Sequence, residues 1–234
     1  MNKKRILILG PVTADPSELS AIAGYFSFLN DKYSIDCIDP LHIMEDVPNA
    51  EYYRLWEEKI SRNLTRYDAF FGFAFGGVIL QQCFSVFTPY KKPVILFSTP
   101  TFADKTLDQK LSTVIQHCKN NKLNDALYAL YQPVFYPHDI PADIFNIEDE
   151  KTALKRLIFG LKRVLDTNSN HIIKNTDVEH LHFIGECSQL VNSDNVSTSK
   201  TGTLHIVPKA SMRVLQDNLE YCKPLILEAL NNEV

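Results

Sequence analysis

Hydrophobic and polar positions alternate along this chain in a way that sets out strands and helices in turn. Ile6-Leu-Ile-Leu9 is an unbroken apolar run closed by Gly10-Pro11, the pattern of a central parallel strand buried on both faces. Asp15, Pro16 and Ser17 then open a helix, with Asp15 as its N-cap and apolar positions at Leu19, Ile22, Ala23, Phe26 and Leu29. Ser34-Ile-Asp-Cys-Ile38 alternates, so it predicts a strand nearer the sheet edge, and a helix over about 50–66 carries Tyr53, Trp56, Ile60 and Leu64 on one face. Two more buried strands follow, Tyr67 to Phe71 and Lys92 to Phe97, with a glycine-rich turn and a helix from Val78 between them. From Lys105 to about Glu179 the pattern is helical, with helices near 105–120, 122–132 and 147–165 separated by Pro133, Pro137 and Pro141. His180-Leu-His-Phe-Ile184 and Thr203-Leu-His-Ile-Val207 resume the sheet, and a helix over 217–230 closes the chain. This alternation predicts an α/β protein with a doubly wound, mostly parallel sheet.

Composition narrows what such a sheet could serve. With 234 residues, 45% of them hydrophobic, the chain suffices for one α/β core: a body of 1–104 and 177–234 with a helical insertion at 105–176. A net charge of −4 with scattered basic residues argues against nucleic acid or an anionic membrane as partner. The expected partner is a small molecule or a protein. No apolar run reaches the length of a membrane span, and the run after Met-Asn-Lys-Lys-Arg is too short for a secretory leader. The five cysteines are widely spaced and form no C-x-x-C pair, so they read as reduced thiols of a cytoplasmic protein without a metal site. Nothing in the sequence calls for a cofactor.

The densest signal is Gly72-Phe-Ala-Phe-Gly-Gly77, where three of the eight glycines fall within six residues between a strand and a helix. Glycine there supplies positive φ or close backbone approach. The segment resembles the nucleophile elbow Gly-x-Ser-x-Gly of the α/β-hydrolase superfamily, with Ala74 in the place of the serine. Nearly the whole chain follows that resemblance, which implies an α/β-hydrolase fold whose helical insertion, before the penultimate strand, is a cap over the site.

What the resemblance implies for the catalytic positions is a set of losses. Ala74 cannot attack a carbonyl. The acid position after the strand ending at Ile184 is Ser188 in Gly185-Glu-Cys-Ser-Gln-Leu-Val191, and the base position after the last strand is Met212, or Ser211 in another register. Displaced acids or bases could be Asp104, Glu186 or His138, whereas His182 and His205 lie within strands. Of the two oxyanion donors, the first falls on Pro11, which has no N–H, or on Val12 if the loop shifts; the second is the N–H of Phe75. A pocket would be lined by Pro11, Val12, Ala74, Phe75, Phe102, Tyr131, Phe135 and Met212, with Tyr128 and Tyr136 as further cap aromatics.

Three functions fit this inventory. The leading one is a catalytically silent binding protein for an acyl or aromatic small molecule, or a subunit partnering a biosynthetic enzyme or a second copy of itself. The second is an esterase or thioesterase represented by a Ser-to-Ala inactive form. The third is a lyase or cyclase working in the same pocket without acyl transfer.

Overall fold

Strand by strand, side chains alternate between two cores, and this alternation builds the molecule. The computed structural model describes residues 3–231. Its six strands are β1 (Lys4–Leu9), β2 (Tyr33–Ile38), β3 (Ala69–Phe73), β4 (Val94–Phe97), β5 (His180–Gly185) and β6 (Thr203–Val207). All pair in parallel, in the order β2-β1-β3-β4-β5-β6. Leu7, Leu9, Phe70, Val94 and Leu96 enter one core, while Ile6, Ile8, Phe71, Ile95 and Phe97 enter the other. That is the period of two expected of strands buried on both faces.

The second core is covered by α1 (Ser20–Gly24) and α10 (Leu219–Asn231), through Ile22 and through Cys222, Ile226 and Leu230. Its centre is aromatic, with Phe97 stacked between Phe73 at 4.5 Å and Phe183 at 5.6 Å. The first core is covered by α2 (Asn49–Asn63), α3 (Phe75–Gln82) and α4 (Phe84–Phe87), and by the helices that follow β4. Those are α5 (Lys105–Lys119), α6 (Leu123–Phe135), α7 (Glu150–Leu165) and α8 (Asn170–Asn175); α9 (Val214–Asp217) precedes α10.

Three expectations are corrected here. The helix after Asp15 is broken into 3-10 turns at Pro16–Leu19 and Ser27–Leu29 around the short α1. Pro133 does not end its helix but lies inside α6, because its φ suits a helix and Leu130, Tyr131 and Phe135 bury the same element. α8 was not anticipated.

Within the segment 105–176, α7 is joined firmly to the body. Arg156, 5% exposed, donates to the Thr13 carbonyl at 3.1 Å and to both carboxylate oxygens of Asp39 at 2.8 and 3.2 Å. It thus ties the loops that follow β1 and β2. Arg163 does the same for the stretch before α2, donating to the carbonyls of Glu45 and Val47 at 3.0 and 2.6 Å.

Strand order reverses direction between β1 and β3, since the chain goes from β1 out to β2 on one side and from β3 outward on the other. The loops leaving these two strands diverge there, which opens a crevice at their carboxyl ends. Gly10-Pro11-Val12 and Ala74 both lie at that point.

Candidate functional site

Ala74 joins β3 to α3 in a single residue, at φ 45° and ψ −109°. An alanine rarely adopts such a backbone, so the surroundings must hold it. Its N–H donates to the Phe97 carbonyl at 3.0 Å, and Gly76 N–H donates to the Gly10 carbonyl at 3.0 Å. The glycines make this approach possible. A Cβ on Gly76 would stand 2.1 Å from the Leu9 carbonyl oxygen, and one on Gly72 would stand 2.5 Å from Gly77 Cα. No glycine among the described residues has positive φ. The strain expected of the glycines is carried by Ala74, and the glycines serve only close packing.

Ala74 lines a cavity of about 470 Å³. One wall is the loop after β1, with Pro11 and Val12; another is α6, with Leu130, Tyr131 and Phe135; a third is the stretch from Met212 to Val214. The β5–β6 loop adds Leu190 and Val191. The lining is mostly carbon, and its polar members are few. Tyr131 donates to Glu18 Oε2 at 2.8 Å, and burial together with the Glu18 charge holds its hydroxyl well above the usual phenol range. Glu18 is itself fixed by accepting from Asp15 N–H at 3.0 Å. Ser98, which follows β4 at φ 45°, donates its hydroxyl to the Met212 carbonyl at 2.7 Å.

The architecture has solved counterparts. An α/β hydrolase enzyme, MGS-M2, from a Medee basin deep-sea metagenome library superposes with a TM-score of 0.74 at 12% identity, over 100% of this chain and 91% of that one. An esterase from Exiguobacterium antarcticum gives 0.72 at 12% identity, over 99% and 93%. The 2-hydroxy-6-oxo-6-phenylhexa-2,4-dienoate hydrolase of Rhodococcus sp. strain RHA1 gives 0.71 at 13% identity, over 97% and 90%. This chain has the α/β-hydrolase fold. No protein-family model matches the sequence, and no curated protein matches it.

In an α/β-hydrolase fold the elbow residue, a base after the last strand and an acid near the preceding strands must converge. Of the expected lining residues, Pro11, Val12, Ala74, Phe75, Tyr131, Phe135 and Met212 all border the cavity. Phe102 does not, because it is drawn aside by an antiparallel bridge to Asn168. Tyr128 and Tyr136 are exposed and also lie off the wall.

The candidate acids and bases are engaged elsewhere. Ser188 accepts from Val191 N–H at 3.2 Å, and Glu186 is an exposed carboxylate accepting from Lys209 N–H at 2.8 Å. Asp104 caps α5 by accepting from Leu107 N–H at 2.8 Å. His138 places Nε2 3.8 Å from Asp217 Oδ1 at the protein surface, outside the cavity lining. None of these four borders the cavity, so none of them meets Ala74 there. No histidine of the described residues does so either. His182 is fully buried in β5, where its Nε2 accepts from Thr99 N–H at 3.3 Å. Its pKa is lowered to about 3, chiefly by burial and then by the neighbouring His180.

Several lining residues escaped the sequence reading. Ser98 and Arg213 carry no motif, and Glu18 looks like an ordinary helix-capping residue, which it also is. The one legible signal is position: Arg213 directly follows Met212, at the position where the resemblance leads one to expect a base.

Proposed function

We propose that this chain is a non-hydrolytic α/β-hydrolase-fold protein whose cavity binds an acyl or aromatic small molecule, with α5 and α6 serving as its cap. The observation that carries this reading is the composition of the cavity at Ala74. It offers a methyl group at the elbow and a thioether at the base position, inside a largely apolar lining without an imidazole among the described residues. Acyl transfer needs an attacking oxygen and a group to take its proton, and Ala74 at the elbow and Met212 at the base position supply neither.

The restored nucleophile tests the reading directly. Ala74→Ser puts a hydroxyl on the strained elbow, yet no imidazole of the described residues borders that cavity to accept its proton. The expected outcome is a folded protein that a fluorophosphonate does not label and that shows no burst with p-nitrophenyl or thioester substrates. Slow turnover alone would be uninformative, since a site stripped of its triad can still accelerate hydrolysis by about 10³–10⁴-fold over water. Stoichiometric labelling of Ala74→Ser would overturn the proposal and favour a serine esterase or thioesterase as the ancestral and functional state. Binding is measured separately, as a rise in Tm with acyl or aromatic ligands.

A further inference from the structure

Three arginines packed against the body differ in how their charge is met. Arg156 is neutralised by Asp39, and Arg163 lies 4.5 Å from the Tyr52 ring centre with carbonyl acceptors at its N–H groups. Arg213 is half-buried on the cavity wall, its Cζ 4.2 Å from the centre of the Phe135 ring. Among the described residues its side chain has neither a hydrogen-bond acceptor nor a carboxylate within 4.0 Å. A guanidinium supported by an aromatic ring is held in orientation while its N–H donors remain available, and the partner that suits them is a planar carboxylate gripped by two parallel bonds.

We propose that Arg213 is the anchor of the cavity, and that the ligand is a carboxylate with an apolar or aromatic body. This rests on the binding reading above and names the ligand class for that same site. The body would lie along Leu130, Phe135 and Val12, and the carboxylate would take the Arg213 donors. Two acidic side chains on the lining, Glu18 and Asp143, bear on the charge of the ligand. They repel every negative charge brought in, and with Arg213 the single cation on the described lining to offset it, the cavity favours a monoanion over a phosphate dianion or a phosphate-bearing thioester carrier. The Ser98 hydroxyl is already given to the Met212 carbonyl, and Arg213 is the one cationic side chain among the described lining residues.

The test uses 4-phenylbutyrate and octanoate, each beside its methyl ester, titrated calorimetrically into the wild-type chain, Arg213→Met and Arg213→Lys. For the wild type the acids should bind at least about tenfold tighter than the esters, the size of a charge-assisted hydrogen-bonded pair. Arg213→Met should erase that preference with ester affinity changed by less than about threefold, and Arg213→Lys should keep part of it, since the charge stays and the bidentate geometry goes. If Arg213→Met does not unfold cooperatively, Arg213→Lys decides: an undiminished preference overturns the anchor. Equal binding of acid and ester by the wild type, or a preference that survives in Arg213→Met, overturns the anchor while the cavity reading stands. If no acid and no ester binds at millimolar concentration, both fall.

Discussion

Ala74 holds a strained backbone at the turn from β3 to α3 and offers the cavity a methyl group. A residue at φ 45° and ψ −109° costs of the order of 1–3 kcal/mol, and a β-carbon is the source of that cost. In an acyl hydrolase the strain presents an oxygen; here it presents a methyl group. Glycine would relieve it, at the cost of about 0.5–1 kcal/mol of extra conformational entropy given up on folding. Ala74→Gly should therefore stabilise the protein by about 1 kcal/mol, read as a higher urea midpoint with an unchanged m-value. A lower midpoint would mean that the elbow is relaxed around the alanine. Met212 adds to that apolar lining, since its flexible thioether fills space on the same cavity wall.

The elements around the cavity are fixed by a small number of cross-ties. α7 approaches the loop after β1 so closely that a Cβ on Gly160 would stand 2.5 Å from Val12 Cγ2, and Arg156 then locks the approach by bonding Thr13 and Asp39. This tie shapes one wall of the cavity from a helix that the sequence assigned to the insertion. Arg156→Met removes the charge and leaves Asp39 partly buried without its partner, which should cost about 3 kcal/mol. Thermal unfolding measures it. A loss well under about 1 kcal/mol, the value of an exposed pair, would show that α7 is held by packing alone.

At the scale of the whole molecule, β5 carries two buried imidazoles that resist protonation. Burial lowers the pKa of both His180 and His182, the latter to about 3 from an ordinary 6.5, and His205 on β6 is lowered by the same cause. The unfolded chain takes up a proton near 6.5 while folded His182 stays neutral down to about 3, so across that window the unfolded state binds more protons. Stability is then complete above about pH 6.5 and falls with acidification by up to about 1.4 kcal/mol per pH unit for each ring. Asp36 and Asp15, whose pKa values are lowered in the fold, add losses only below the ordinary carboxylate value of 3.8. Urea midpoints above and within the window should decline in the wild type and decline less steeply in His182→Gln. Equal slopes would show that His182 does not set the acid limit.

The layered sheet was legible from the residues alone, because strands such as Ile6 to Leu9 are apolar at every position and can only be buried on both faces. The tight turn was legible too, since glycines at 72, 76 and 77 mark a place where backbones touch. The irregular chain was less legible. The broken helix after Asp15 and the helical course through Pro133 depend on packing that overrides local preference. Which polar groups border the cavity was decided only by tertiary structure. Glu18, Ser98 and Arg213 are 80 and 115 residues apart along the chain, and parallel strands with long crossovers bring their loops to one end of the sheet without any local pattern to announce it. The same physics set Asp104, Glu186 and His138 off the cavity, where their side chains answer to nearby backbone donors or, for His138, to the buried Asp217 carboxylate.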